Sequence, residues 1–181
     1  MKALRIILNL AFVALLALPG TARADEIDDL FARLAQAEGR ELARIEDQIW
    51  RKWSQTGSPA LDLLLRRGRA AVDAGQNDVA IEHLSALVDH APEFAEAYNI
   101  RATAWFREGH YGPALEDIRM ALMLNPRHFD ALSGLAIILD EMGKSRDALA
   151  AWRLVEALHP NRDGLAETIA RLERELGDTA L

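Results

Sequence analysis

The spacing of apolar positions reads as helix along nearly the whole chain. Ile27, Leu30, Phe31 and Leu34 form one stripe, and after Gly39 a second stripe follows at Leu42, Ile45, Ile49 and Trp53. Such spacings put each set on one face of a helix with 3.6 residues per turn, and they predict helices over 26–37 and 40–54. Gly57-Ser58-Pro59 then ends one helix and caps the next. Further on, Tyr98, Ala102 and Trp105 share one helix face, and beyond Gly109 so do Tyr111, Ala114, Ile118, Ala121 and Leu122. Near the C-terminus Leu165, Ile169, Leu172 and Leu176 oppose Glu167, Arg171, Glu173, Arg174 and Glu175. That is an amphipathic helix over 163–176, expected to end at Gly177.

The middle of the chain is periodic. Pro92, Pro126 and Pro160 are 34 residues apart, Ala80, Ala114 and Ala148 precede them by 12, and Gly75, Gly109 and Gly143 keep the same register. The units are therefore 61–94, 95–128 and 129–162, without insertions. Each holds two helix-length patterns joined by a short glycine turn, so the two must pack antiparallel. Ala102, Ala114 and Ala121 permit close backbone approach, where larger side chains would overpack by about 1–3 kcal/mol. Trp105 fills the remaining space, and its truncation to alanine should cost roughly 3–5 kcal/mol. Asn125 is the expected N-cap of the next helix, with Pro126 at its start.

In the middle unit the ordered set Tyr98, Ala102, Trp105, Ala114, Ile118, Ala121 and Pro126 resembles a tetratricopeptide repeat (TPR). The third unit is similar through Leu132, Ala136, Leu139, Ala148, Trp152, Val155 and Pro160; the first matches less well, with Leu64, Gly68, Ala71, Ala80, Leu84, Leu87 and Pro92. The resemblance implies an all-α fold, a right-handed α-solenoid of three TPR helix pairs, with N-terminal helices over 25–58 and a C-terminal capping helix and tail over 163–181. Arg67 and Arg101 stand where most repeats of this family carry leucine, as Leu135 does. The structural reading pairs the Arg101 guanidinium with Asp117 and packs its methylenes; a ligand-anion site is the alternative.

The ends of such an array leave apolar faces open and call for caps. The C-terminal helix is expected to cover the third unit. The N-terminal pair is read as a cap on the weak first unit, or else as a surface that pairs with another copy or another protein. An exposed Trp50 would favour a contact surface.

The first 24 residues stand apart. Lys2 and Arg5 precede an apolar run from Ile6 to Leu18, Pro19-Gly20 breaks it, and Ala22-Arg23-Ala24 is a small-x-small triplet. This is the layout of a secretory signal peptide, residues 1–24, cleaved after Ala24. The run is short for a membrane-spanning helix of roughly 20 residues, and a retained anchor is the alternative. Export places the protein in the periplasm or outside the cell, and the whole resembles small exported TPR proteins of Gram-negative bacteria. Removing 1–24 leaves 18 basic and 28 acidic side chains, a net charge of −10. Such a charge disfavours nucleic acid and anionic lipid as partners, and no membrane insertion is expected once the signal is removed. The chain has no cysteine, so stability must come from packed apolar surface.

No catalytic, metal-binding or cofactor-binding pattern rises from the sequence, so it is read as a non-enzyme without cofactor. There is no glycine-flanked serine elbow, no phosphate-cradling loop and no pair of histidines four apart. His90 and His159, each next to an end-of-repeat proline region, are expected in solvated turns. In a TPR array the first helix of each unit lines the concave side. The family's groove positions fall here on Asp62, Leu65, Arg69, Val72 and Asp73, on Glu96, Asn99, Thr103, Phe106 and Arg107, and on Asp130, Ser133, Ile137, Asp140 and Glu141. Arg69, Asn99, Thr103, Phe106, Arg107, Ser133 and Ile137 are the candidate ligand residues. Phe106 and Ile137 offer apolar contact, Asn99 and Thr103 can bond a peptide backbone, and Arg69 and Arg107 can hold a carboxylate. The family's two-carboxylate clamp is not carried over, because Leu65, Thr103 and Ser133 depart from its pattern. The expected role is a protein-binding adaptor of the bacterial cell envelope that holds a peptide segment of its partner. The alternative is a homo-oligomer built through the N-terminal helices.

Overall fold

The computed structural model describes residues 21–178, and the apolar leader over 1–20 lies outside the described residues. All elements among them are helices: α1 Thr21–Leu34, α2 Gly39–Trp53, α3 Pro59–Asp73, α4 Asn77–His90, α5 Ala95–Arg107, α6 Tyr111–Leu124, α7 Phe129–Glu141, α8 Ser145–Leu158 and α9 Leu165–Asp178. The pairs α3–α4, α5–α6 and α7–α8 are the three 34-residue units.

The repeat is visible in the backbone itself. Gly75, Gly109 and Gly143 have φ of 71°, 75° and 71°, the left-handed region that a side chain with a Cβ resists. Around each, the same two bonds close the first helix. At the middle turn Gly109 N donates to Phe106 O and His110 N to Trp105 O, both at 2.9 Å. Gly75 with Gln76 and Gly143 with Lys144 repeat the pattern. This is the Schellman arrangement that satisfies the last carbonyls of a helix.

The turn that closes the middle unit differs from expectation. Asn125 N donates to Ala121 O at the end of α6, and its Oδ1 accepts from Arg127 N at 3.2 Å. Asn125 thus closes one helix and shapes the turn, and α7 begins only at Phe129, with the His128 side chain accepting from Ala131 N. Pro126 lies inside the turn because its ring permits it there while its missing N–H is not needed. Ser58 and Pro59 do take the N-cap and first-turn positions of α3. Helix α9 runs through Gly177 to Asp178 rather than stopping at the glycine.

Small residues set the closeness of each pair. Ala80, Ala114 and Ala148 are fully buried. Gly68 is packed so tightly that an added Cβ would fall 2.6 Å from Leu84 Cγ. Arg101 reaches Asp117 in a two-pronged pair, Nε to Oδ2 at 2.8 Å and Nη2 to Oδ1 at 2.7 Å, and its Nη1 donates to Ser85 Oγ at 3.0 Å. The bonds to Asp117 raise the arginine pKa above its ordinary value. Arg67, at the equivalent site of the first unit, is exposed, with His83 in place of the aspartate. At the C-terminal end, Leu165 and Ile169 pack with Leu132 and Val155 of the third unit, and Arg171 bonds Asp140 at 2.5 Å. The third unit is covered as expected.

The N-terminal pair is not where the sequence suggested. Leu30, Phe31, Leu34, Ala37, Leu42, Ile45 and Ile49 form one cluster with Phe129, and Leu158 and Trp53 pack against it. Phe129 and Leu158 belong to the third unit. The core of the first unit contains no residue of α1 or α2, and that unit leaves Leu63 and Val79 exposed. The hairpin is therefore a strap laid across the array, not a lid on its first unit. A stripe of apolar residues announces that a helix will be covered, but not by which surface.

Candidate functional site

The inner wall of the solenoid is built by α3, α5 and α7, and the strap crosses it. At the end of α2, Ser54 Oγ accepts from Arg69 Nη2 at 3.3 Å, and the same nitrogen donates to Glu96 Oε1 at 2.5 Å. Glu96 Oε2 lies 2.9 Å from His128 Nε2. This polar chain runs from the strap through the first unit to the second and on to the start of α7. Glu96 and His128 are both buried, so each needs the partner it has. Trp53 stacks on His128, and Trp50 lies under Arg69 with its Nε1 donating to Asp130 Oδ2 at 2.9 Å. Trp50 keeps 41% of its surface exposed, yet both its face and its N–H are engaged within the molecule.

The far end of the strap is tied as well. His159 Nε2 lies 2.7 Å from Glu46 Oε1, and Asn161 Nδ2 donates to Ala37 O at 2.9 Å. Arg127 covers the Phe31 ring and pairs with Asp28 at 2.7 Å. His159 is fully buried, which corrects its expected place in a solvated turn. Its partner Glu46 is 113 residues away in sequence, beyond the reach of local pattern. His90 is exposed as expected, but as the last residue of α4 rather than in the turn that follows.

Where the strap ends, the inner wall stays open. A pocket of about 280 Å³ lies between the second and third units, lined by Asn99, Thr103, Phe106, Arg107, Ser133, Ile137 and the smaller or deeper Ala102, Ile118, Gly134 and Ile138, with Asp130 and Arg162 at one side. Six of the seven candidate ligand residues converge here. Arg69 does not: it sits beside Ser54 and Trp50 and is committed to Glu96. Among the six, two hydroxyls are turned inward. Thr103 Oγ1 donates to Asn99 O at 3.2 Å and Ser133 Oγ to Phe129 O at 2.7 Å, so each can only accept from a ligand. Phe106 rests on Tyr111 with ring centroids 5.8 Å apart, and Ile137 is exposed.

The charges around the pocket are unequal in their commitments. Arg162 pairs with Asp130 at 2.9 Å. Arg107 instead donates Nη1 to Val72 O at 2.5 Å, a carbonyl in the last turn of α3, where a cation is favoured by the helix dipole. Sequence reasoning found the wall residues because they follow the repeat register. It missed the contacts of Trp53 with His128 and of Glu46 with His159, because these form only when the strap folds over.

Comparison with known proteins places this architecture. The tetratricopeptide repeat model matches residues 65–129. The chain is 32% identical over 151 residues to a TPR repeat-containing protein of Rhizobium etli, spanning 83% of this chain and 74% of that one. It is 31% identical over 110 residues to sperm-associated antigen 1 of Rattus norvegicus, spanning 61% of this chain and 12% of that protein. Among solved structures, MamA superposes with a TM-score of 0.61 at 27% identity, over 65% of this chain and 68% of its own. The first TPR of Spaghetti (RPAP3) bound to an HSP90 peptide does so with a TM-score of 0.61 at 23% identity, over 65% of this chain and 93% of its own. The 34-residue helix pairs, their common glycine turns and these likenesses agree, and the chain belongs to the tetratricopeptide repeat family.

Proposed function

We propose that this protein is a non-catalytic adaptor of the bacterial cell envelope that holds a peptide segment of a partner protein on its concave wall, in the stretch the strap leaves open. TPR folds act as protein-binding scaffolds, and the RPAP3 neighbour is bound to a peptide. One observation carries the reading to this chain: wall residues of two successive units, Asn99, Phe106 and Arg107 with Ile137, surround a largely apolar pocket. Pockets that combine apolar walls with a few polar groups are the usual ligand seats. The signal-like segment 1–24 supports the compartment. The self-associating alternative draws no support from the apolar stripe of α1 and α2, which is buried on the third unit.

The test is photocrosslinking in intact cells with a photoreactive residue at Asn99, repeated with Phe106→Ala. The reading expects a discrete crosslinked protein at Asn99 and about a tenfold loss of affinity on Phe106→Ala, equivalent to about 1.4 kcal/mol, with helicity unchanged. Equal capture from a convex position such as Leu154, or no effect of Phe106→Ala, would overturn it. Release by osmotic shock and an N-terminus at Asp25 would support the compartment; retention with the cytoplasmic fraction would not.

A further inference from the structure

We infer that Gly134 opens a socket for one large apolar side chain of the bound segment, and that Arg107 at its rim takes a carboxylate of the same segment. The inference rests on the concave wall being the binding surface and specifies what that wall selects.

Gly134 stands in the sixth position of its unit, where the others carry Arg66 and Ile100. It lies in the middle of α7, where glycine weakens a helix relative to alanine. A structural need would show as a left-handed backbone or a close neighbour. Gly134 has neither: it is absent from the positive-φ glycines, and an added Cβ would meet only Ile118 Cδ1 at 3.5 Å, an ordinary contact. Gly68, whose Cβ would collide with Leu84, is the opposite case. What Gly134 does provide is depth in the pocket between α5 and α7.

The chemistry of the occupant follows from the lining. Phe106, Ile118, Ile137 and Ile138 make the walls apolar. An apolar cavity of about 150 Å³ holds a benzene, so about 280 Å³ receives one aromatic or branched aliphatic side chain with its backbone. Arg162 is neutralised by Asp130, whereas no described carboxylate pairs with Arg107. A guanidinium has five N–H donors, and the Val72 carbonyl engages one of its nitrogens. Of the two cations lining the pocket, Arg107 is thus the one without a described carboxylate partner, and a carboxylate close to the apolar anchor complements it.

The test is selection of a random twelve-residue peptide library, displayed on phage, against the mature full chain. The expected winners share a large apolar residue with Asp or Glu within two positions. Titrating a fluorescent copy of the winner should show at least a tenfold weaker Kd for Gly134→Leu and a smaller loss for Gly134→Ala. Both variants should melt no lower than the parent, since each adds helix propensity. Arg107→Gln should erase the preference for the acidic residue while retaining the apolar one. Winners that bind Gly134→Leu as tightly as the parent, winners without an acidic neighbour, or no winner at all would overturn the inference. If Phe106→Ala still weakens such winners, the concave wall stands as the binding surface and only the socket is wrong.

Discussion

Trp53 lies almost flat on the ring of His128, with centroids 4.4 Å and planes 28° apart. The residue that closes α2 thus rests on the residue that opens α7, and the far edge of the histidine is held by Glu96. This stack joins the N-terminal strap to the repeat array at the junction of its second and third units.

Trp53→Ala should therefore loosen the strap before it loosens the repeats. Truncating a large aromatic in a core costs roughly 3–5 kcal/mol, and Trp53 is half-buried, which points to about 3 kcal/mol, the lower end of that range. Hydrogen exchange should accelerate in α1 and α2 while α5 and α6 keep their protection. Uniform acceleration along the chain would show that strap and repeats open together.

Arg101 and Asp117 make a pair that the third unit does without, having Leu135 and Ala151 at those sites. Removing one partner of a buried pair leaves an uncompensated charge, at a cost of about 3–5 kcal/mol. The side chain of Arg101 keeps 17% exposure and that of Asp117 6%, so Arg101→Leu alone should destabilise by about 3 kcal/mol in urea unfolding. Arg101→Leu combined with Asp117→Ala should recover most of that loss. A double variant as unstable as the single one would mean that the pair is worth more than the apolar contacts replacing it.

The hinge between strap and array is set by Asp62, whose Oδ1 accepts from Thr56 Oγ1 at 2.7 Å and Thr56 N at 3.0 Å. The side-chain bond from Thr56, then the backbone one, lowers the Asp62 pKa below its ordinary 3.8. A carboxylate held lower in the folded chain stabilises fully above its unfolded pKa, and that contribution is lost as pH falls through the folded value. The hinge should thus be indifferent to pH at neutrality and loosen only below about pH 4. Carbon-detected NMR titration should find Asp62 below 3.8, and Thr56→Val should bring it back up.

Gly68→Ala tests packing against propensity. Alanine favours a helix over glycine by about 1 kcal/mol, but the added Cβ meets the fully buried Leu84 at 2.6 Å, and overpacking costs about 1–3 kcal/mol. The net should be a lower melting temperature. A rise would show that Leu84 moves aside freely.

Local pattern carried the units and their inner contacts into view. The 34-residue register located the glycine turns, the close-packed alanines and the Arg101–Asp117 pair, because all of these lie within one unit. What escaped was set by long separation. Glu46 finds His159 and Trp50 finds Asp130 only after the strap crosses the wall, and nothing near His159 in sequence signals a buried partner. Asn125 misled for a different reason: an Asx side chain before proline suits a helix start or a turn equally well, and only the position of Phe129 decides between them.

The polar chain Ser54–Arg69–Glu96–His128 has a mechanical meaning. A solenoid gains its curvature from small rotations between neighbouring repeats, and a free one can stretch or coil like a spring. Here a rod is fastened across the coils at both its ends, through Trp53 at one and Asn161 at the other. A change of pitch between the second and third units must break these contacts, so the pocket between them is braced before anything enters it.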